Sequence, residues 1–117
     1  MAKALHDGDV VLVPFPFADL KGQKMRPAVV VSADPQGPEL IVAFITTNLT
    51  NRSPRGAEAE LLRSDAEFRA TGLNGDSLLR LDKLVTLSRG VITRRLGTTG
   101  PATHTKIDAA LRRTFGL

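Results

Sequence analysis

The chain has 117 residues, 42% hydrophobic and 24% charged, which indicates one folded domain over residues 1–117 and argues against disorder. It contains no cysteine and two histidines, which excludes disulfides, cysteine-ligated zinc, iron–sulfur clusters, a thiol nucleophile and a histidine-rich metal site. The net charge is +4, no apolar run approaches the roughly 18–20 residues of a membrane span, and the first ten residues lack the apolar stretch of a signal peptide, so we expect a cytoplasmic protein.

Three strand signals open the chain. Residues 8–16, 26–32 and 40–47 read GDVVLVPFP, RPAVVVS and LIVAFITT. Each segment is short, rich in Val and Ile, and flanked by Gly, Pro, Asp or Asn, which favours strands over helices. Pro14 and Pro16 cannot donate ladder hydrogen bonds, so the first strand is expected to end at an edge or a bulge.

The middle of the chain predicts shorter elements. Residues 58–62 alternate weakly and predict a short strand. Ser64 and Glu67 have capping-box spacing and predict a single helical turn around residues 65–69. The Asn-Gly pair at 74–75 indicates a tight turn. Three further short strands are predicted, at residues 77–81, 84–87 and 93–96.

The convincing helix signal lies near the C-terminus. Pro101 suits a first helical position. A mostly apolar stripe with helical spacing follows, at Ile107, Ala110, Leu111, Thr114 and Phe115. Five to seven short strands and a terminal helix predict a mainly β fold, a strongly bent sheet or half-open barrel with the helix packed on it.

Polar side chains interrupt the apolar strands at their ends. Arg26 opens the second strand, and Thr46 and Thr47 close the third. Arg80 and Asp82 lie two residues apart, so on a strand they face the same side. Because a charge that is buried without a partner is costly, each of these groups has either an ion-pair partner or a task at a cleft.

The positive charge is concentrated in the last third of the chain. Residues 1–79 hold 8 basic and 10 acidic side chains, whereas residues 80–117 hold 8 basic and 2 acidic ones, a net charge of +6. A basic segment attracts a polyanion, but it also occurs on ordinary solvated surfaces. With five Phe and no Tyr or Trp, a nucleic-acid site here would depend on Arg, Lys and backbone groups rather than on base stacking.

These segments, taken in order, resemble the PemK/MazF-type toxins of toxin–antitoxin modules, which are sequence-specific mRNA endoribonucleases. The matching stretches are GDVVLVPFP at 8–16, RPAVVVS at 26–32, IVAFITT at 41–47, GDSLLRLDKLVTLS at 75–88 and LGTTGPATHTKIDAALRR at 96–113. The likeness covers nearly the whole chain. It implies an SH3-like barrel with a C-terminal helix, a homodimer, and a cognate antitoxin whose acidic segment covers the basic groove.

The resemblance also implies a reaction. Enzymes of this family cut single-stranded RNA without a metal or other cofactor, using the substrate's own 2′-OH, and leave a 2′,3′-cyclic phosphate or 3′-phosphate and a 5′-OH. The family's arginine before Pro maps onto Arg26, and its Thr or Ser that closes the third strand maps onto Thr46. One branch of the family has an Arg-x-Asp pair on a later strand, which maps onto Arg80 and Asp82. The first long loop reads DLKGQKMRP and lacks the family's common Gly-(Ser/His)-Glu-Gln stretch, and Lys83 replaces a frequent glutamine.

The chemistry of the reaction suggests a role for each residue. Asp82 is the one carboxylate on its strand and is predicted to be the general base. Arg26 would hold the non-bridging phosphate oxygens, and Arg80, a poor proton donor, would stabilise charge. Thr46 would donate a hydrogen bond to the phosphate or orient the 2′-OH. The candidate RNA contacts are Lys21, Gln23, Lys24, Thr47 and Lys83.

Other interpretations stay open at this stage. The chain is compatible with a non-catalytic barrel that binds nucleic acid or protein, including a topoisomerase-inhibiting toxin on a similar fold. Arg80 and Asp82 fit a structural ion pair equally well, and Thr46 fits an ordinary strand residue. Arg26 and the loop lysines are also what a solvated surface would carry.

Overall fold

A curled antiparallel sheet with one helix packed on it forms the part of the chain that the structure, a computed structural model, describes: residues 5–14, 24–34, 37–47 and 54–117. The strands are β1 (Asp9–Pro14), β2 (Met25–Ala33), β3 (Glu39–Thr46), β4 (Glu58–Leu61), β5 (Ser77–Ser88) and β6 (Arg94–Thr98), and the helix is α1 (Pro101–Phe115). Their order in the sheet is β4-β5-β3-β2-β1-β6. This half-barrel with a C-terminal helix confirms the predicted mainly β, SH3-like fold.

Each face of the sheet carries its own apolar layer, because side chains alternate along a strand. On one face Val29, Ala43 and Leu79 pack with Ile107 and Ala110 of α1. The other layer does not include α1, and its buried members are Leu5, Val11, Val13, Ala28, Val30, Leu40, Val42, Phe44 and Ile92. A polar side chain at the end of β2 or β3 therefore lies beside one apolar layer or the other, depending on the face of the sheet to which it points.

The predicted stripe of α1 is right in its first part and wrong at its end. Ile107 and Ala110 are buried, but Phe115 is 60% exposed, and Thr103 is buried in its place. At 3.6 residues per turn, Phe115 lies roughly 110° around the helix from the line through Thr103, Ile107 and Ala110. The aromatic ring therefore turns away from the sheet.

The strands predicted at 77–81 and 84–87 form one long strand, β5, with a bulge between them. Ala43 of β3 pairs with Leu84, whereas the next residue, Phe44, pairs with Arg80. Residues 81–83 are therefore extra on β5. The backbone stays in the sheet because the Leu81 N–H donates to the Ala57 carbonyl at 2.9 Å. The polar residues that break the apolar pattern mark the bulge and do not end the strand.

The strand pairing agrees with the prediction that β1 ends at an edge or a bulge. Pro14 pairs with Met25 of β2, but the pairing of β1 with β6 stops at Leu12. Pro14 thus lies where, among the described residues, one side of the strand has no partner strand, which a residue without an N–H tolerates. Pro16 lies outside the described residues. The last strand, predicted at 93–96, is observed as β6, which begins one residue later and ends two residues later.

The helical turn predicted around residues 65–69 is displaced, and Glu67 has a different role. A short 3₁₀ turn covers Arg69–Thr71. The Glu67 carboxylate instead accepts the backbone N–H groups of Ala102 and Thr103 at 2.9 and 3.0 Å. These donors lie in the first turn of α1, whose N-cap is Gly100 and has no side chain to offer. Glu67 therefore caps a helix that is distant in sequence.

This cap makes stability depend on pH. The N–H groups of Ala102 and Thr103 lower the pKa of Glu67 below its ordinary value of 4.5. A carboxylate with a depressed pKa in the folded state stabilises the fold above 4.5, and this contribution is lost as the pH falls through the folded-state pKa. We expect Glu67→Gln to lower the Tm at pH 7, and the gap to wild type to close in acid.

Thermal unfolding followed by circular dichroism between pH 3 and pH 7 measures this effect. Glu39→Gln, which neutralises an exposed carboxylate at the start of β3, is the matched control and should leave the Tm unchanged. A gap between Glu67→Gln and wild type that stays constant over the whole pH range would show that the charge of Glu67 does not stabilise α1.

Candidate active site

The strand register brings three of the predicted catalytic residues to one place in the sheet. Ala28 lies opposite Phe44, and Phe44 lies opposite Arg80. Extending the β2–β3 register by two residues places Arg26 level with Thr46. These residues border a hollow with a volume of about 170 Å³, and its lining residues are Arg26, Phe44, Ile45, Thr46, Arg80 and Lys83.

Of the five predicted RNA contacts, one lines the hollow, two are exposed, and two lie outside the described residues. Lys83 lines the hollow with the two arginines. Lys24 and Thr47 are exposed. Lys24 directly precedes β2, which carries Arg26, and Thr47 directly follows β3, which ends at Thr46. Lys21 and Gln23 lie outside the described residues.

Arg80 lies at the centre of a network of ion pairs. Its Nε donates to Asp82 Oδ1 at 3.0 Å and its Nη2 donates to Asp82 Oδ2 at 2.9 Å, so the two side chains meet as a bidentate pair. A second carboxylate, that of Glu58, approaches the same Nε, with Oε2 at 3.2 Å. The guanidinium is therefore held by one carboxylate from its own strand and by one from β4.

Asp82 has the environment of a carboxylate that is ionised at neutral pH. The hydrogen bonds from Arg80 lower the pKa of Asp82 below its ordinary value of 3.8, and they outweigh the effect of its slight burial. Its side chain is 39% exposed. Asp82 is thus in the protonation state that a base requires, and it remains within reach of a solvent-borne substrate.

Glu58 is the site residue that the sequence analysis missed. Its side chain is 1% exposed, and its Oε1 accepts the Arg55 N–H at 2.8 Å. Glu58 opens β4 directly opposite Arg80. In the sequence it appears as one acidic residue of a short, weakly alternating strand. The pairing of β4 with β5 brings it to Arg80, so no local signal could have identified this contact.

The bulge of β5 determines which side chains of this strand face the hollow. Arg80 directly precedes the extra segment and Lys83 is its last residue, and both line the hollow. Bulges change the direction of side chains and are frequent beside active sites. In a regular strand two residues three apart would point to opposite faces. The extra residues therefore account for two cations of one strand facing one hollow.

The arrangement can bind a phosphate and handle a proton. Among the described residues, Arg26, Arg80 and Lys83 line the hollow, and Arg80 also pairs with the carboxylates of Glu58 and Asp82, which lie outside the lining. Guanidinium groups bind phosphate oxygens well, Thr46 adds a hydroxyl, and Asp82 adds a proton acceptor. Across residues 5–14, 24–34, 37–47 and 54–117, no three His, Cys, Asp or Glu side chains form a cluster suited to a metal ion. Within the same ranges, no helix has the length and apolarity to cross a bilayer.

The sequence of the chain matches a known protein family. A family described as the PemK-like, MazF-like toxin of type II toxin–antitoxin systems matches residues 6–115. The chain belongs to this family. The resemblance stated from the sequence segments is thereby confirmed. No curated protein matches the sequence.

Solved structures share the fold at low sequence identity. An endoribonuclease from a mycobacterial species, in complex with its cognate antitoxin, is 23% identical with a TM-score of 0.74, and the match covers 97% of both chains. The Mycobacterium tuberculosis toxin MazF-mt6 is 19% identical with a TM-score of 0.71, over 93% of this chain and 97% of that one. The MazE–MazF structure from Deinococcus radiodurans gives 16% identity and a TM-score of 0.72, over 98% of both chains.

Proposed function

We propose that the chain is an endoribonuclease that cleaves single-stranded RNA by attack of the substrate's 2′-OH on the adjacent phosphorus. The observation that carries this proposal is the shared hollow at the β5 bulge, where Arg26, Thr46 and Arg80 converge from three strands. Membership of a toxin family supports it, and two of the similar structures are described as endoribonucleases.

In the proposed reaction the scissile phosphate occupies the hollow. The 2′-oxygen forms a bond to phosphorus, the bond from phosphorus to the 5′-oxygen breaks, and the products are a 2′,3′-cyclic phosphate and a 5′-OH. Water can then open the cyclic product to a 3′-phosphate. The 2′-OH proton passes to Asp82, and the leaving 5′-oxygen takes up a proton from solvent. No bound metal ion or other cofactor takes part in this scheme.

The cations act on the charge that develops at phosphorus. Arg26 and Arg80 approach from opposite strands of the hollow and would bind the two non-bridging oxygens. Because these groups are oriented before the reaction, they stabilise the extra negative charge without reorganisation, which is worth on the order of 10²–10³ in rate for each donor. The Thr46 hydroxyl would donate to the phosphate or orient the 2′-OH.

The RNA strand would continue past the hollow over exposed polar residues. Lys24 and Thr47 flank the site, and Lys83 lines it. We extend the proposal to Lys21 and Gln23, which precede Lys24 in the sequence. Since these contacts go mainly to the backbone, affinity should fall steeply with salt. DNA should bind without being cut, because it lacks the attacking hydroxyl.

The proposed function also requires an inhibitor. Two of the similar structures contain an antitoxin or its MazE counterpart. We propose a cognate antitoxin whose extended acidic segment becomes ordered on the basic hollow, a homodimeric toxin, and a cytoplasmic location where mRNA is accessible. A stable complex with a small acidic protein encoded next to this chain would support the partner.

RNA cleavage in EDTA is the direct test. We expect purified protein to cut long RNA in EDTA, to leave 5′-OH ends that polynucleotide kinase labels without prior phosphatase treatment, and to spare an RNA with a single 2′-deoxy substitution at the mapped site. Intact RNA over varied sequences, with and without divalent cations, would contradict the proposal. Salt-dependent RNA binding without scission would instead favour a non-catalytic barrel.

A further inference from the structure

We propose that Glu58 is a positioning residue that holds the Arg80 guanidinium in the orientation that the reacting phosphate requires. This inference rests on the proposed endoribonuclease function. Glu58 lies on β4, outside the lining of the hollow, and its direct contact with the site is the ion pair with Arg80.

The Glu58 carboxylate is fixed on both sides. One oxygen approaches Arg80 Nε at 3.2 Å, and the other accepts the backbone N–H of Arg55 at 2.8 Å. The Glu58 N–H in turn donates to the Arg55 carbonyl at 2.9 Å, which closes a tight turn at the start of β4. With 1% of the side chain exposed, this carboxylate has little room to move.

The two anionic partners of Arg80 differ in how readily they can be exchanged. Asp82 is 39% exposed and lies on the bulge, whereas Glu58 is buried. An incoming phosphate competes with both for the guanidinium. Asp82 can turn toward solvent or substrate, whereas the buried Glu58 carboxylate is also held by the Arg55 N–H and would have to break its ion pair with Arg80 inside the protein, which is unfavourable. Glu58 therefore keeps Arg80 in place while Asp82 turns to the substrate.

A guanidinium can serve both partners together. It carries five N–H donors in a planar fork, so Arg80 can keep its contact with Glu58 through Nε and present other N–H groups to phosphate. Glu58 also acts on Asp82, because its negative charge raises the pKa of Asp82 and so opposes the effect of Arg80. The buried carboxylate would thus keep the proposed base more basic than Arg80 alone would leave it.

Glu58→Gln distinguishes this role from a structural one, because it should strengthen substrate binding and at the same time slow the reaction. The amide keeps the size of the side chain and an oxygen for the Arg55 N–H, but it removes a negative charge that competes with phosphate. We expect KM to fall and kcat to fall by roughly 10–100-fold, as for a misplaced catalytic group. A residue with only a structural role would lower Tm and leave KM unchanged.

Steady-state cleavage of a short RNA with one mapped site, well below the Tm of every variant, measures the split. Glu60→Gln is the matched control: it neutralises a carboxylate two residues further along β4 that pairs with Leu78 instead of Arg80, and it should keep both constants at wild-type values. An independent readout is the NMR signal of the Arg80 Nε–H, which should be sharp in the wild type and broadened in Glu58→Gln.

The outcomes are distinct. A lower kcat with a lower KM, together with a mobile Arg80, supports the positioning role. Wild-type values of both constants in Glu58→Gln overturn it, and so does a loss of kcat with unchanged KM and a sharp Arg80 signal. If the wild type cuts no RNA, the proposed function fails and this inference fails with it, whereas an active wild type beside an unaffected Glu58→Gln removes the inference alone.

Discussion

Arg26→Ala is expected to lower the rate of RNA cleavage by about 10²–10³-fold while the protein stays folded. The arginine lines the hollow from β2, and it would bind the non-bridging oxygens whose charge grows in the transition state. Its side chain is exposed, so truncation opens no cavity in the core. Arg80→Ala is a poorer test because it would break the ion pair of Arg80 with the buried Glu58 carboxylate, and the loss of a buried ion pair costs about 3–5 kcal/mol.

Two further variants separate the geometry of Arg26 from its charge. Arg26→Lys keeps the charge but loses the planar fork, so we expect an intermediate rate. Arg94→Ala removes an exposed arginine from β6, outside the hollow, and should change cleavage little. Single-turnover rates on one RNA, with Tm values for every variant, give the comparison. Full activity of Arg26→Ala would remove this residue from the mechanism.

The alternation of apolar residues made most of the fold predictable. The segments at 8–16, 26–32 and 40–47 became β1, β2 and β3, and the helix begins at Pro101 as expected. Local signals failed where a distant partner decides the outcome. Glu67 has the spacing of a cap for its own turn, but the free N–H groups of α1 attract it more strongly. The bulge of β5 depends on the pairing of that strand with both β3 and β4.

The sequence indicated candidate site residues but not how they are connected. Arg26 and Thr46 lie near the ends of apolar strands, Arg80 interrupts one, and the three share one hollow. The hydrogen bonds between Arg80 and Asp82 follow from a spacing of two on a strand, an arrangement that the sequence left open between an ion pair and a catalytic pair. The contact of Glu58 with Arg80 needs the register of β4, which no sequence pattern specifies.

Asp82→Asn is expected to lower cleavage by about 10²–10⁴-fold, the usual contribution of a general base. The amide keeps an oxygen that can accept from Arg80 Nε, but it cannot take the proton of the 2′-OH. Because Arg80 holds the pKa of Asp82 below 3.8, the carboxylate is ionised throughout the neutral range. Any acidic limb of the wild-type rate that comes from this group should therefore have its midpoint below pH 3.8.

The role of Asp82 is tested with a substrate that has a better leaving group, with a control variant and with the pH dependence of the rate. The rate deficit of Asp82→Asn should persist on an RNA with a 5′-sulfur leaving group, because that substitution relieves the departure step and not the attack. Asp108→Asn, which removes an exposed carboxylate of α1, should cleave at the wild-type rate. If Asp82→Asn keeps full activity, Asp82 has no part in the reaction. If the variant is slow and an acidic limb well above pH 3.8 appears in both proteins, the base is another group, and the deficit comes from the bidentate contact that orders Arg80.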